Sequence, residues 1–300
     1  MSATDGLRVI GGSWSKVDGP AKTTGETRYA DDLFLPRMLH AKILRSHLPH
    51  ARIIDLDVSR ARSLPGVHAV ITGSDLPVKF GIMPSSQDEE ALCLDKVRYV
   101  GDPVAAVAAV DEETAERACE AIEVRYEPLP AIMSIEDAIA EPEARVQEYG
   151  DGPPLNVHKN VALEFGDLAK GFAEADHVRE DVFFFQGNTH LPMEQHSAVA
   201  QLEAGGRVTL WTASQTPHYV HRALSKVLGL PLARIRVIAA PVGGGFGGKS
   251  DPFSHEICAA KLALVTGRPV KITLTREEVF YAHRGRHPVL MWIRTGVRRD

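Results

Sequence analysis

Apolar and polar positions alternate with a period of two along much of LHAKILRS from Leu39 and IIDLDV from Ile53, and with the short apolar run in HAVIT from His68 they predict three strands. HLPHA makes the first turn, and SRARSL is short and helical before Pro65-Gly66. After a loop from Gly73 to Asp95, punctuated by Gly73, Pro77, Gly81 and Pro84, strand character resumes at Val97 to Tyr99 and Val104 to Val110. Asp111 is placed to cap a helix whose Ala115, Ala118, Cys119 and Ile122 share one face.

The second half alternates strands and helices, with strand Arg207 to Ala213, helix Pro217 to Leu228, strand Ile235 to Ala239, glycine loop, helix Pro252 to Leu264 and strand Val270 to Thr275. Thr216-Pro217 is a cap followed by proline at the first helical position, and Gly229 stops that helix. Its apolar face is Val220, Ala223, Leu224, Val227 and Leu228. By the same logic the next helix starts at Asp251-Pro252 and turns Phe253, Ile257, Ala260 and Leu264 inward. The organisation expected is a lead-in segment (1–20), an α/β unit (21–132), a Pro- and Gly-rich linker (133–156) and a second unit (157–300).

Composition narrows the function. With 44% hydrophobic and 24% charged residues the chain can bury a core, and its net charge of −5 is spread without a basic run, which disfavours nucleic acid. The start lacks a signal-peptide pattern and the apolar stretch ending at Val110 is too short to span a bilayer, so a cytoplasmic protein is expected. Cys93, Cys119 and Cys258 are widely separated and form no C-x-x-C pair, so any iron–sulfur cluster belongs on another chain.

The candidate chemistry lies at two strand-to-helix corners. One leaves Gln215 where a strand gives way to a helix. The other is Gly243-Gly244-Gly245-Phe246-Gly247-Gly248-Lys249, in which five glycines allow close backbone approach to an anionic oxygen ligand. Gly243, Gly248, Lys249 and Ser250 also fit a Walker A spacing, and Gly243, Gly245 and Gly248 a dinucleotide fingerprint. Against a P-loop hydrolase, the next strand runs into Arg276 rather than a magnesium-binding Asp, and only about fifty residues follow the loop.

Taken together, GGGFGGK, TASQTPH, MEQH (Met193 to His196), TREE (Thr275 to Glu278) and HRGRHP (His283 to Pro288) resemble the molybdopterin-binding subunit of the xanthine dehydrogenase and aldehyde oxidase family. TGETRYADD, RSHLPHARI, PGVHAVIT and VRYVGDPVAAVAA resemble that family's α/β hammerhead domain. The resemblance runs from Val17 onward and implies a mixed α+β / α/β fold, a hammerhead domain followed by the first part of a molybdenum-cofactor-binding domain.

It further implies that Gln215 contacts an oxygen ligand of molybdenum, and that Gly245, Phe246, Gly247 and Gly248 lie against the pterin, in its cytosine dinucleotide form. No protein residue is expected to ligate the metal. FAD and [2Fe-2S] clusters are expected on a medium and a small partner subunit. PVKFGIMPSS, LDKVRYVGDPVAAVAA and YAHRGR are most similar to the branch that reduces 4-hydroxybenzoyl-CoA, implying an aromatic CoA thioester; oxidation of an aldehyde or N-heterocycle is the alternative. Ser250 stands where purine-oxidising members carry an acidic residue. The family's late carboxylate base has no counterpart here, so the resemblance implies a section of a longer subunit with its base beyond Asp300.

Blander roles remain for several residues. Gln215 could simply cap a helix, and Phe246 could anchor a core. His218 and His221 are expected to be partly exposed, and His190 and His196 to be buried and hydrogen-bonded. Lys249 could hold a phosphate or pair with Asp251, Arg284 and Arg286 are read as structural, and Asp88, Glu89 and Glu90 as a solvated loop.

Overall fold

The computed structural model describes residues 9–84, 86–140, 145–147, 156–282 and 284–299. Much of the lead-in, half of the expected linker, His283 of the HRGRHP run and Asp300 lie outside them. In chain order the elements are α1 (Gly19–Thr24), β1 (Leu39–Arg45), β2 (Ala51–Asp57), α2 (Ser59–Ser63), β3 (Val67–Thr72), β4 (Lys96–Val97), β5 (Pro103–Ala109), α3 (Glu112–Glu120), β6 (Glu123–Pro128), α4 (Ile135–Ala140), α5 (Leu168–Ala173), β7 (His177–Phe185), β8 (Ser197–Leu202), β9 (Val208–Thr212), α6 (Pro217–Leu228), β10 (Ile235–Ala239), α7 (Ser254–Thr266), β11 (Val270–Thr273), α8 (Arg276–Ala282) and β12 (Val289–Val297).

One seven-stranded sheet, ordered β10-β9-β8-β11-β1-β5-β3, runs through both halves of the chain. The seam is a short parallel pairing of β1 with β11, at Leu39 opposite Val270 and His40 opposite Lys271. It is reinforced by Leu39 N–H donating to Pro269 O at 2.7 Å and by the partly buried ion pair of Arg45 and Glu278 at 2.8 Å. Two smaller sheets, β4-β2-β6 and β12-β7, lie outside it.

The unbroken apolar run of β5 is explained by its place. Every residue of Pro103–Ala109 is buried, with Ala106 and Ala108 in the cluster that contains α6 and α7, and Ala105 and Val107 in the one that contains α3. A strand covered on both faces needs no polar alternation. Among the described residues no helix is long and apolar enough to cross a membrane.

At α3, Asp111 accepts from Thr114 N–H at 2.8 Å, and Ala115, Ala118, Cys119 and Ile122 are buried, as the spacing requires. α6 follows its expected bounds, with Val220, Ala223, Leu224 and Val227 buried and Gly229 left-handed at φ 64°. α7 departs from expectation. It begins at Ser254, capped by Phe253, whose N–H donates to the Glu256 carboxylate at 2.9 Å, so Pro252 stands outside the helix.

A single inward face is also too narrow a description of α7. His255 through Ala260, Leu262 and Ala263 are all buried, because the helix is wedged against β8, β9 and β11 on one side of the seam and β3 and β5 on the other. A helix enclosed in this way shows no amphipathic stripe. Phe253 and Leu264, expected to point inward, are only partly buried.

The acidic step is not a solvated loop. Glu90 is almost fully buried between Lys79 and Arg98, and Glu89 pairs with Arg284, which also holds Asp251. Strand β6, strands β7 and β8, and helices α4, α5 and α8 carried no expectation from the sequence; α4 falls within the expected linker.

Candidate functional site

The two corners meet because β9 and β10 are adjacent and parallel. Their register puts Thr212 opposite Ala239, and Ala240 N–H donates to Thr212 O at 3.0 Å, so both strands deliver their chains to the same edge of the sheet. Gln215 lies three residues beyond one strand and the glycine loop starts four beyond the other. Carboxyl ends of parallel strands are where open α/β sheets place ligands.

Gln215 is bound to the loop through backbone and side chain. Its N–H donates to Lys249 O at 2.9 Å, and its Oε1 accepts from Gly247 N–H (3.1 Å), Lys249 N–H (3.2 Å) and Ser250 Oγ (3.4 Å). Two of those three partners can only donate, which fixes the amide orientation and leaves Nε2 as the outward donor. Nε2 has no partner among the described residues. This placement of the Gln215 side chain leaves room only for glycine at 245, since a Cβ there would stand 2.4 Å from Gln215 Oε1.

Phe246 is no core anchor. Its side chain is 73% exposed, and its backbone is left-handed at φ 53°, between Gly244 at φ 104° and Gly247 at φ 92°. A bulky residue in that conformation is strained by about 1–2 kcal/mol and persists only where its surroundings enforce it. Among the described residues, the N–H groups of Gly244, Gly245 and Phe246 meet no acceptor, although Gly245 is buried. Three consecutive unsatisfied donors, an outward carboxamide N–H pair and an exposed ring suit a ligand rich in anionic or carbonyl oxygens.

Beneath the loop, His196 is 1% exposed and its Nε2 lies 3.2 Å from Gly248 O. Its ring packs edge-on against Phe253 and His255 at 5.2 and 5.7 Å. Burial holds the His255 pKa well below its ordinary value, so the His255 ring stays uncharged at neutral pH. His190 is only half-buried, against Gly247 and Gly248. His221 Nε2 is 3.0 Å from Leu232 O and 3.1 Å from Ile235 O, a structural contact that closes α6 on the following turn, while His218 is exposed.

Lys249 takes neither role allowed to it by the sequence. It is 1% exposed and its Nζ donates to Glu194 Oε2 at 2.6 Å; Asp251 belongs to Arg284. A P-loop lysine must be available to phosphates, and its helix must follow directly, whereas α7 begins at Ser254. The nucleotide-hydrolase reading is overturned on both counts. Glu194 had no signal in spacing, lying 49 positions before Gly243.

A hollow of about 410 Å³, lined by residues including Tyr29, Met193, Glu194 and Gly243, abuts the start of the loop. A second, of about 340 Å³, lies between the β4–β5 turn and α8, and shares no residue with the Gln215 corner. Asp102 in its wall is pushed up to about 6 by burial, against hydrogen bonds from Arg98 N–H and its neighbours. Cys93, Cys119 and Cys258 are buried free thiols whose pKa values burial raises, which removes them as nucleophiles or ready thiolate ligands.

Residues 24–130 match the family described as aldehyde oxidase and xanthine dehydrogenase, a/b hammerhead domain, and residues 151–300 match the molybdopterin cofactor-binding domain. The chain is 38% identical over 295 residues to the nicotinate dehydrogenase large molybdopterin subunit of Eubacterium barkeri, covering 98% of this chain and 68% of that subunit. To the xanthine dehydrogenase molybdenum-binding subunit of Escherichia coli it is 35% identical over 295 residues, covering 95% of this chain and 39% of that subunit.

Quinoline 2-oxidoreductase from Pseudomonas putida 86 superposes with a TM-score of 0.86 at 34% identity, covering 96% of this chain and 37% of that chain. The chain thus spans less than two fifths of the length of two of these three proteins. None of the three is named for a CoA thioester, the substrate class suggested by the finer sequence resemblance. A hammerhead domain leading into a molybdopterin-binding domain, one sheet shared between them, and 38% identity along nearly the whole chain place this protein in the xanthine dehydrogenase and aldehyde oxidase family of molybdopterin-binding subunits.

Proposed function

We propose that this chain supplies two walls of a molybdopterin site in the large subunit of a molybdenum-dependent oxidoreductase. Gln215 is the donor to an oxygen ligand of the metal, and Gly245, Phe246, Gly247 and Gly248 form the backbone wall against the pterin. The observation that carries this reading is the joining of the corners by Gln215 Oε1, which leaves the Gln215 amide N–H pair and three loop N–H groups unsatisfied on the described surface. The bound group would supply the two-electron redox chemistry and its own sulfur ligation of molybdenum. The chain supplies oriented donors and a close-fitting backbone. A cytosine dinucleotide form of the cofactor, and FAD and [2Fe-2S] clusters on medium and small partner subunits, complete the proposal.

For substrate we favour oxidative hydroxylation of an N-heterocycle, supported by the nicotinate and quinoline enzymes among the relatives. Reduction of 4-hydroxybenzoyl-CoA is the second reading, and it rests on the runs PVKFGIMPSS and YAHRGR. Ser250, which places no carboxylate after Lys249, argues against a purine that needs one.

The full-length subunit, purified with its partners from molybdenum-replete cells, should carry about one molybdenum and one pterin per subunit. Gln215→Glu keeps acceptors for the Gly247 and Lys249 N–H groups but removes the outward donor, and should lower molybdenum retention by about tenfold or more. A wild-type complex free of molybdenum and pterin would overturn the reading. Turnover of nicotinate or quinoline with an artificial acceptor, against reduction of 4-hydroxybenzoyl-CoA by a low-potential donor, separates the substrate classes.

A further inference from the structure

The seven-residue loop from Gly243 to Lys249 has no regular structure of its own, yet both of its ends converge on one carboxylate oxygen. Glu194 Oε2 accepts from Gly243 N–H at 2.7 Å and from Lys249 Nζ at 2.6 Å. The backbone of Glu194 adds a third tie, its N–H donating to Gly243 O at 3.2 Å. The fit at the first end is close enough to demand glycine, because a Cβ on Gly243 would stand 2.7 Å from Glu194 Cβ.

The pair is enclosed, Lys249 being 1% and Glu194 11% exposed in their side chains. Burial lowers the Lys249 pKa and its partner raises it, so the ammonium is held in a place where alone it would be costly. Lys249 Nζ also reaches Gln195 O at 3.4 Å, and Lys249 O receives Gln215 N–H. Between these fixed ends lies Phe246 in its left-handed conformation, with the unsatisfied N–H groups of Gly244, Gly245 and Phe246.

We propose that Glu194 is a positioning residue for the cofactor loop: its carboxylate, bridging Gly243 and Lys249, enforces the strained arc in which Phe246 and its neighbouring N–H groups face the ligand. The proposal rests on the reading that this loop holds the molybdopterin. A buried ion pair is poor evidence for stability, since well-packed apolar residues of similar size often replace one without loss. Its value here is geometric. It joins two points six residues apart at a single atom, which no apolar pair can do, and so over-determines a backbone that would otherwise relax. Through Lys249 the same atom is linked to Gln215, so the two walls of the site are set relative to each other by one network.

The test compares the full-length subunit in its complex with Glu194→Gln, Lys249→Met and the double variant Glu194→Leu/Lys249→Met. Three quantities are read: melting temperature, hydrogen exchange of the Gly243 to Lys249 amides, and pterin and molybdenum retained after dialysis. Each single variant leaves a buried charge without its counter-charge and should lower the melting temperature. The double variant leaves no unpaired charge and should recover the wild-type melting temperature, yet exchange at Gly243 should stay about tenfold or more faster.

Retained cofactor in the double variant should stay about tenfold or more lower than in the wild type. Recovery of all three quantities would overturn the proposal and leave the pair as a stabilising contact only. If the wild-type complex holds no pterin, the cofactor reading fails by itself, and wild-type-like exchange in the double variant would then defeat the clamp separately. Should the double variant fail to fold, Glu194→Asp decides: it keeps the charge but draws the carboxylate back by one methylene, so faster loop exchange supports the clamp and unchanged exchange defeats it.

Discussion

Helix α7 and the glycine loop are neighbours in one strand–loop–helix unit, and they are held in place by opposite means. α7 is fixed by burial: Ile257, Cys258, Ala259, Ala260, Leu262 and Ala263 are all fully enclosed. The loop ends five residues earlier, presents Phe246 at 73% exposure, and is fixed by polar pins from Glu194 and Gln215. Apolar packing is strong but tolerant of small shifts in direction, whereas a hydrogen bond fails when its angle is wrong. The scaffold therefore uses the first, and the backbone proposed to face the cofactor uses the second. Stability and cofactor retention should then respond to different residues.

The largest effect expected on the scaffold side comes from Ile257→Ala, which removes a fully buried side chain at the centre of the shared core and should cost about 2–5 kcal/mol in chemical denaturation. If the comparison holds, folded Ile257→Ala protein keeps its molybdenum. Loss of cofactor at unchanged stability would break it.

A smaller effect follows from Glu256, the buried acid that caps α7. Burial pushes its carboxyl from 4.5 up to about 7, against lowering hydrogen bonds from Thr212 and Phe253. Between those two values the folded chain holds a proton that the unfolded chain has released. The contribution of Glu256 to stability therefore falls as pH rises from 4.5 to 7, by at most about 1.4 kcal/mol per pH unit, and levels off above 7. Asp102, raised from 3.8 to about 6, adds a slope of the same sign over a lower window. His255, whose pKa burial holds well below 6.5, contributes a slope of the opposite sign below that value, so the test is a difference: the denaturation midpoint of the wild type relative to Glu256→Gln should fall as pH rises from 4.5 to 7. A wild-type-minus-variant difference that stays flat or rises through that range would contradict the Glu256 assignment.

The smallest effect is the most discriminating. Phe246→Gly relieves a left-handed backbone at little cost in buried surface, and should stabilise the cofactor-free protein by up to about 1 kcal/mol. The same change should weaken cofactor retention, because it removes the ring and frees the arc. Destabilisation would mean that Phe246 packs within the fold despite its exposure.

Much of this was written in local sequence. The two-residue alternation of β1, the Asp111 cap and the 3.6-residue spacing of α3, and the Thr216-Pro217 and Gly229 ends of α6 each depend on residues a few positions apart. Gln215 and the glycine loop were legible as corners for the same reason, and their family pattern lay in ordered motifs along the chain.

What local pattern could not contain is which segments meet. α7 lost its amphipathic signature because strands from both halves enclose it, and the acidic step at Glu89 and Glu90 is drawn into ion pairs because Arg98 and Arg284 approach it. Lys249 found Glu194, 55 positions away, in preference to Asp251 two positions on, because β8, β9 and β10 deliver both ends of the loop to the segment before Ser197. Sequence by itself determined the elements and the chemistry available at their ends; the parallel pairing of β9 with β10 and the seam of β1 with β11 decided which of those ends became a site. Short-range propensities act through a few bonds of backbone, but a buried charge is settled only by the partner that the whole fold brings within hydrogen-bonding distance.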